Sequence, residues 1–288
     1  MITMGLKDYC FDGKKECDVF KLPTRTRERD KEAILLKTKE NQSKIASLQE
    51  RLYAEGKEAL ILVIQAMDAA GKDSTIKHVM SGINPQGIDV HSFKEPTSEE
   101  LAHDFLRKAE RAIPERGKMA IFNRSYYEDV LVVKVRSLYK HYQMKERCFD
   151  GDFFKQRLKH IRHFEEYLYD ESYRVVKIFL NVSKEKQKQR FLERINDPEK
   201  HWKFSYGDLD DRALWDDYLN AYNDAINATA SKHAPWYVLP ADQKWYTRYL
   251  VSEILVKTLE EMDPHYPQVT KEQINHMLQA KKLLEDEK

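Results

Sequence analysis

Cysteine is scarce. Cys10, Cys17 and Cys148 are an odd number without C-x-x-C spacing, which argues against both a disulfide framework and a zinc site. They read as reduced thiols. Glycine and proline are also sparse, nine of each in 288 residues, which excludes collagen-like and repeat-loop architectures and favours a helix-rich fold. An excess of one charge is missing as well: 49 Lys and Arg face 48 Asp and Glu, a net charge of +1. No global field draws such a chain onto nucleic acid, so no nucleic-acid partner is expected and any anion site must be local. No apolar run approaches the roughly 18 to 20 residues of a membrane span, and the opening MITMGLKDYCFDGKKE lacks the basic-then-apolar layout of a signal peptide. A cytoplasmic location with no membrane partner is expected. What the chain does have, 41% hydrophobic and 34% charged residues, suits one large globular domain or two small ones.

Residues 1–29 show no period and are expected to form an irregular arm that wraps the domain. Asp30 to Glu55 is helical in pattern, with Ile45, Leu48 and Leu52 spaced by three and four. The period then changes. Leu60 to Ile64 is a short branched apolar run of the kind a central parallel strand needs. Similar runs at Asp89–Phe93, Met119–Phe122, Val175–Leu180 and Trp236–Leu239 bring the expected strands to five. Helices are predicted between them: Ser98 to Ala112 behind a Thr97/Glu100 capping box, Phe153 to Leu168, Leu214 to Ile226 and Trp245 to Met262. Alternating strands and helices predict an α/β fold, a doubly wound five-stranded parallel sheet over 30–262. In 263–288, Thr270 and Gln273 suggest a capping box opening a last helix, which is expected to serve a homo-oligomer contact.

The first strand runs into Gln65-Ala66-Met67-Asp68-Ala69-Ala70-Gly71-Lys72-Asp73-Ser74-Thr75 and then a helix. In that geometry backbone N–H groups of Ala69 to Ser74 and a helix N-terminus surround an anion, Gly71 allows close approach and Lys72 adds a point charge. The match to the G-x-x-x-x-G-K-[ST] loop is incomplete. Ala66 replaces the first glycine, and Asp73 stands where a hydroxyl would hold a metal, which leaves Asp68 as the candidate metal carboxylate. A simple helix cap is the competing reading.

After the third strand comes Phe122-Asn123-Arg124-Ser125-Tyr126-Tyr127-Glu128-Asp129, expected to open a helix continuing through Val133. Ligands in open α/β sheets bind at strand C-termini, so Arg124 is a candidate phosphoryl clamp and Asp129 or Glu128 a candidate metal ligand. Past the fourth strand, Arg190 and Arg194 lie one turn apart and precede Lys200 and Lys203. This stretch, about 184–212, resembles the mobile lid of small-molecule kinases, and neutralising its two arginines is expected to leave stability nearly unchanged. Lys77, Arg107 and Lys134 are further candidates for a cationic track. Tyr126, Tyr127, Trp202 and Trp215 could stack a base, although aromatics at helical spacing are more often core.

These clusters, with Ala234-Pro235-Trp236-Tyr237-Val238 and Ala241-Asp242-Gln243-Lys244-Trp245, resemble the polyphosphate kinase 2 family from about Asp30 to Met262. The resemblance implies a P-loop kinase fold related to thymidylate kinases. It also implies phosphoryl transfer from inorganic polyphosphate to a nucleoside mono- or diphosphate such as AMP or ADP, forming ADP or ATP, with Mg²⁺ or in its place Mn²⁺. Lys72 would grip the transferred phosphate, Asp68 would hold metal, Arg124 would contact phosphate, and the second metal carboxylate would be Asp129 or Glu128. Asn123 departs from the aspartate of some members. The Tyr-Glu-Asp-Val-Leu-Val form resembles members that accept both AMP and ADP. The rival readings are an ATP-dependent nucleoside monophosphate kinase and a silent P-loop regulator.

Overall fold

The structure, a computed structural model, describes residues 5–149 and 151–287. In chain order its strands and helices are β1 (Cys10–Phe11), α1 (Lys31–Glu55), β2 (Ala59–Ala66), α2 (Lys72–Val79), β3 (Ile88–Ser92), α3 (Ser98–Leu101), α4 (Arg107–Glu110), β4 (Met119–Asn123) and α5 (Val132–Val135). There follow α6 (Phe153–Asp170), β5 (Tyr173–Asn181), α7 (Lys184–Asn196), α8 (Gly207–Ala213), α9 (Trp215–Thr229), β6 (Trp236–Pro240), α10 (Lys244–Met262) and α11 (Lys271–Asp286).

The sheet has six strands in the order β1-β6-β5-β2-β4-β3. Five are parallel, as the branched runs predict. The sixth, β1, pairs antiparallel with β6 through Cys10 opposite Tyr237 and Phe11 opposite Trp236, so the sheet is mixed and not five-stranded. Two residues carry no readable period, and β1 exists because the β6 edge offers unpaired backbone groups. The other described residues of the arm are loop and 3-10 turn, and several are tied to the domain. Asn227 accepts from the Cys17 amide at 2.8 Å and donates to the Cys17 carbonyl at 2.9 Å, and Asn223 accepts from the Val19 amide. Tyr9, Phe11, Cys17 and Val19 are buried.

All eight residues of β2 are buried, as a strand covered on both faces requires. It pairs with β4 on one side and β5 on the other, so the chain winds first one way from β2 and then the other. The crevice beyond the C-terminal ends of β2 and β4 is therefore the topological switch point, where ligands bind in such sheets. Helix α1 is capped by Asp30, which accepts from the Ala33 amide, and it lies along α10. Its buried seam includes Asn41, satisfied by Ser252 and Glu253 of α10.

The helix expected over Ser98–Ala112 is broken into α3 and α4. Its capping box forms, but the Asp104 carboxylate accepts from the Leu106 amide, a local bond that competes with helix continuation. The helix expected after Phe122 is likewise a 3-10 turn over Tyr126–Asp129 followed by α5. Among the described residues no helix is long and apolar enough to cross a membrane. Helix α11 buries none of its residues and exposes Met277, Leu278 and Leu283.

Candidate active site

At the end of β2 the chain turns through two left-handed residues, Ala69 (φ 58°) and Gly71 (φ 107°). A Cβ on Gly71 would meet nothing closer than Ser74 Oγ at 3.5 Å, so backbone conformation rather than crowding calls for glycine here. The Lys72 ammonium folds back to donate to the Ala66 carbonyl at 2.9 Å. Ala66 thus occupies the place of the missing first glycine and receives the lysine through its backbone. Burial pushes the Lys72 ammonium below its ordinary range; Asp68 opposes this and Arg124 adds to it.

The loop after β4 closes on the same space. Arg124 is also left-handed, φ 63°, a strained setting for a non-glycine residue that is worth tracing to a function. Its amide donates to the Ile64 carbonyl at 3.1 Å, and its Nη2 donates to Asp68 Oδ1 at 3.1 Å. Burial works against its charge, yet Glu128 and Asp68 outweigh that and raise the guanidinium pKa. Asn123 Nδ2 donates to Asp73 Oδ1 at 2.9 Å, so the residue standing where a hydroxyl was expected is tied to the neighbouring strand.

Behind this turn lies a buried polar anchor. Tyr126 and Tyr127 both donate to Glu165 Oε1 at 2.9 Å, and Lys177, buried in β5, pairs with the other carboxylate oxygen. The Tyr127 hydroxyl also lies within hydrogen-bond distance of Thr229 Oγ1, at 2.7 Å. The two tyrosines are structural, and Trp215 is buried, so none of the three is placed to stack a base. Trp202 alone of that set is exposed, on the rim of the cleft.

Five candidate residues are placed otherwise than expected. Arg190 is not a free lid cation. It is buried, with Nη1 donating to the Ala69 and Ala70 carbonyls and Nη2 to those of Ala241 and Asp242, because the first turns of α7 pack under the loop. Asp129 faces away: its carboxylate accepts from Arg157 at 2.7 Å and Tyr142 at 3.1 Å, against α6. Lys134 pairs with Asp224 at 2.7 Å. Lys77 and Arg107 are exposed and outside the cleft.

The cleft itself has a volume of about 440 Å³. Ala69, Ala70, Gly71, Asp73, Ser74 and Asn123 line it, and Lys94, Arg194, Lys200, Lys203 and Lys244 join Lys72, Arg124 and Arg190. Eight cations thus face four carboxylates, Asp68, Asp73, Glu193 and Asp208, which suits a multiply charged anion. Lys94 and Asp208 carry no motif and escape a reading of the sequence, whereas Lys244 lies in the Ala241–Trp245 stretch that carries the family resemblance. Arg194 Nη1 donates to the Lys203 carbonyl at 3.2 Å and lies 3.5 Å from Asp208. Burial first, and the charge of Asp68 second, raise the Asp208 pKa.

On the other side of the Asp68–Arg124 pair is a second cavity of about 50 Å³, lined by Met67, Glu128, Leu131, Val132, Tyr218 and Tyr222 among others. Asp68 and Arg124 line both spaces. Glu128 is enclosed there; burial raises its pKa, and Arg124 and Lys72 oppose this. Three or more His, Cys, Asp or Glu do not gather into a metal cluster among the described residues. Mg²⁺ ordinarily needs only one or two protein carboxylates, with phosphates completing its shell. Asp68, with Asp208 and Glu128 close enough to feel its charge, fits that pattern.

The family model of Polyphosphate kinase 2 (PPK2) matches residues 28–267. An ADP-polyphosphate phosphotransferase of Rhodopseudomonas palustris is 45% identical over 243 residues, 84% of each chain. An AMP/ADP-polyphosphate phosphotransferase of Meiothermus ruber is 49% identical over 225 residues, 78% of this chain and 80% of that one. The crystal structure of polyphosphate kinase 2 from Arthrobacter aurescens superposes with a TM-score of 0.85 at 34% identity, covering 97% of this chain and 98% of the other. A cation-rich crevice at the switch point of the sheet and matches of this extent lead to one assignment: the chain belongs to the polyphosphate kinase 2 family.

Proposed function

We propose that the protein transfers the terminal phosphoryl group of inorganic polyphosphate to AMP and ADP, on a P-loop kinase fold of the thymidylate-kinase kind. The observation that carries this is the position of the Asp68–Arg124 pair, which forms a wall common to a large cationic cleft and a smaller, partly apolar cavity. The donor lies in the cationic cleft. The acceptor's phosphate enters from the smaller cavity, whose volume of about 50 Å³ is well below that of a whole-nucleotide pocket. The part of segment 184–212 beyond Arg190, which contributes Asp211, therefore acts as a lid that opens to admit the acceptor.

The chemistry asks little of the protein beyond position and charge. In the loose transition state negative charge spreads over the peripheral oxygens. Lys72 and Arg124 face that charge from fixed directions, Lys72 through its bond to Ala66 and Arg124 through Asp68. Donors oriented before the reaction lower its barrier without reorganising. Arg194, Lys200 and Lys203 complete the enclosure, and Arg190 holds the loop in shape from below. Asp68 would hold Mg²⁺ or Mn²⁺, with Glu128 rather than Asp129 as its partner. The bound ion would neutralise charge on the bridging and transferred phosphates. No enzyme carboxylate or hydroxyl needs to become phosphorylated. The exposed apolar residues of α11 suit a homo-oligomer contact, and the proposed setting is the cytoplasm.

The test is a donor swap. With Mg²⁺, AMP and polyphosphate and without ATP, purified protein is expected to form ADP and then ATP. Phosphorylation of AMP with ATP as the only effective donor would instead establish a nucleoside monophosphate kinase. Reaction of ADP without reaction of AMP would remove the dual-acceptor reading.

A further inference from the structure

Gln65, the last residue but one of β2, is fully buried in a strand whose other side chains are all apolar. Its amide Oε1 is buried without a hydrogen-bond partner. An unpaired buried acceptor is costly, and an apolar side chain of the same length would spare the sheet that cost. Packing therefore does not account for a glutamine at this position.

The donor half of the amide is used. Nε2 donates one N–H to Ser125 Oγ at 3.0 Å. That oxygen also accepts from the Tyr127 amide at 3.1 Å and so caps the 3-10 turn over Tyr126–Asp129. The Gln65 amide also faces the Glu128 carboxylate and supports its charge against burial. A carboxylate only accepts, so the second N–H of Nε2 is the group that does so. One nitrogen thus joins the end of β2 both to the cap of the turn and to the acid that the turn presents. One residue earlier on each segment, the Arg124 amide donates to the Ile64 carbonyl and fixes the same turn.

We propose that Gln65 is a positioning residue that sets the direction of the Glu128 carboxylate in the wall of the smaller cavity. This rests on the reading of Glu128 as the partner of Asp68 in holding metal. Gln65 lines neither the cleft nor the smaller cavity, so it acts only through Glu128. Without its N–H the carboxylate turns to Arg124 or Lys72, whose charges already draw it, and an acid paired in that way is a poorer metal ligand.

The experiment is a double-mutant cycle on Gln65→Met and Glu128→Gln. Its readouts are the Mg²⁺ concentration for half-maximal rate, the Kd of Mn²⁺ alone from its free-ion electron paramagnetic resonance signal, and the polyphosphate KM at saturating Mg²⁺. Gln65→Met is expected to raise the first two about tenfold, the scale of losing a group that orients a metal ligand, and to leave the third within about twofold. In the Glu128→Gln background the same substitution should add less than about twofold, because the group it acts on is already gone. Gln65→Glu can still accept from the Ser125 hydroxyl but offers Glu128 no N–H, so it should fail as Gln65→Met does, and it carries the comparison if the methionine variant does not fold. Wild-type metal affinity in Gln65→Met or Gln65→Glu, or an equal effect of Gln65→Met with and without Glu128, overturns the positioning role and leaves Glu128 at the metal. Wild-type metal affinity in Glu128→Gln overturns the reading of Glu128 and the positioning role with it.

Discussion

The Arg190 guanidinium stands 2.7 Å from the carbonyl oxygen of Ala70, and with Gln187, which donates to the Asp68 carbonyl at 3.0 Å, it fastens the first helix of the proposed lid to the phosphate loop. With the bonds to Ala69, Ala241 and Asp242 it spans three segments. Arg190→Ala leaves four buried carbonyls short of a donor and is expected to cost about 3 kcal/mol or more. Arg194→Ala, whose nearest acid is at 3.5 Å, is expected to cost less than about 1 kcal/mol. Thermal melts of the two variants check the contrast; equal losses would mean that the two arginines do the same work.

Lys72→Met is expected to lower turnover by roughly 10²–10³-fold, the loss typical of one oriented donor to transition-state charge. The same variant should be at least as stable as wild type. Burial lowers the folded-state pKa of Lys72, so at neutral pH the folded protein carries a charge it disfavours. That penalty fades as pH rises from the lowered value towards the ordinary lysine range. The stability advantage of Lys72→Met should therefore shrink with rising pH, and melting curves at neutral and alkaline pH measure it.

The carboxylates beside Arg124 should separate by their response to metal. Asp68→Asn and Glu128→Gln are each expected to raise the Mg²⁺ concentration needed for half-maximal rate, since hard cations prefer carboxylate oxygens. Asp129→Asn breaks the pair with Arg157, whose side chain is only 7% exposed. It should lower stability by about 3 kcal/mol while titrating with metal like wild type. A raised metal requirement in Asp129→Asn, with Glu128→Gln unaffected, would reverse the assignment.

Glu165 and Lys177 hold the turn that presents Arg124 and Glu128. Removing either partner alone, as in Lys177→Met, leaves an uncompensated buried charge and is expected to cost about 3–5 kcal/mol. The double variant Glu165→Leu/Lys177→Met should recover part of that loss, because burial disfavours the charge on both residues. Chemical denaturation of the three variants gives the coupling; strict additivity would count against a shared anchor.

The parts of this protein legible in its sequence are those fixed by short-range physics. The branched run at Leu60 to Ile64 has the length and side-chain type of a strand buried on both faces, and Gly71-Lys72 after it places a positive φ and a cation at the mouth of α2. Arg124, one residue beyond β4, falls into the crevice because β4 is the parallel neighbour of β2. Spacing alone does not decide where a charged side chain spends its hydrogen bonds. Arg190 and Arg194 look alike one turn apart, yet only the packing of α7 under the loop makes one of them a buried fastening. Glu128 and Asp129 are adjacent acids that a 3-10 turn sends to opposite sides, one towards Lys72 and the other towards Arg157. The two-residue strand β1 likewise depends on partners more than 220 residues away, Tyr237 and Trp236. Such contacts have no local signature, so only the tertiary structure could assign them.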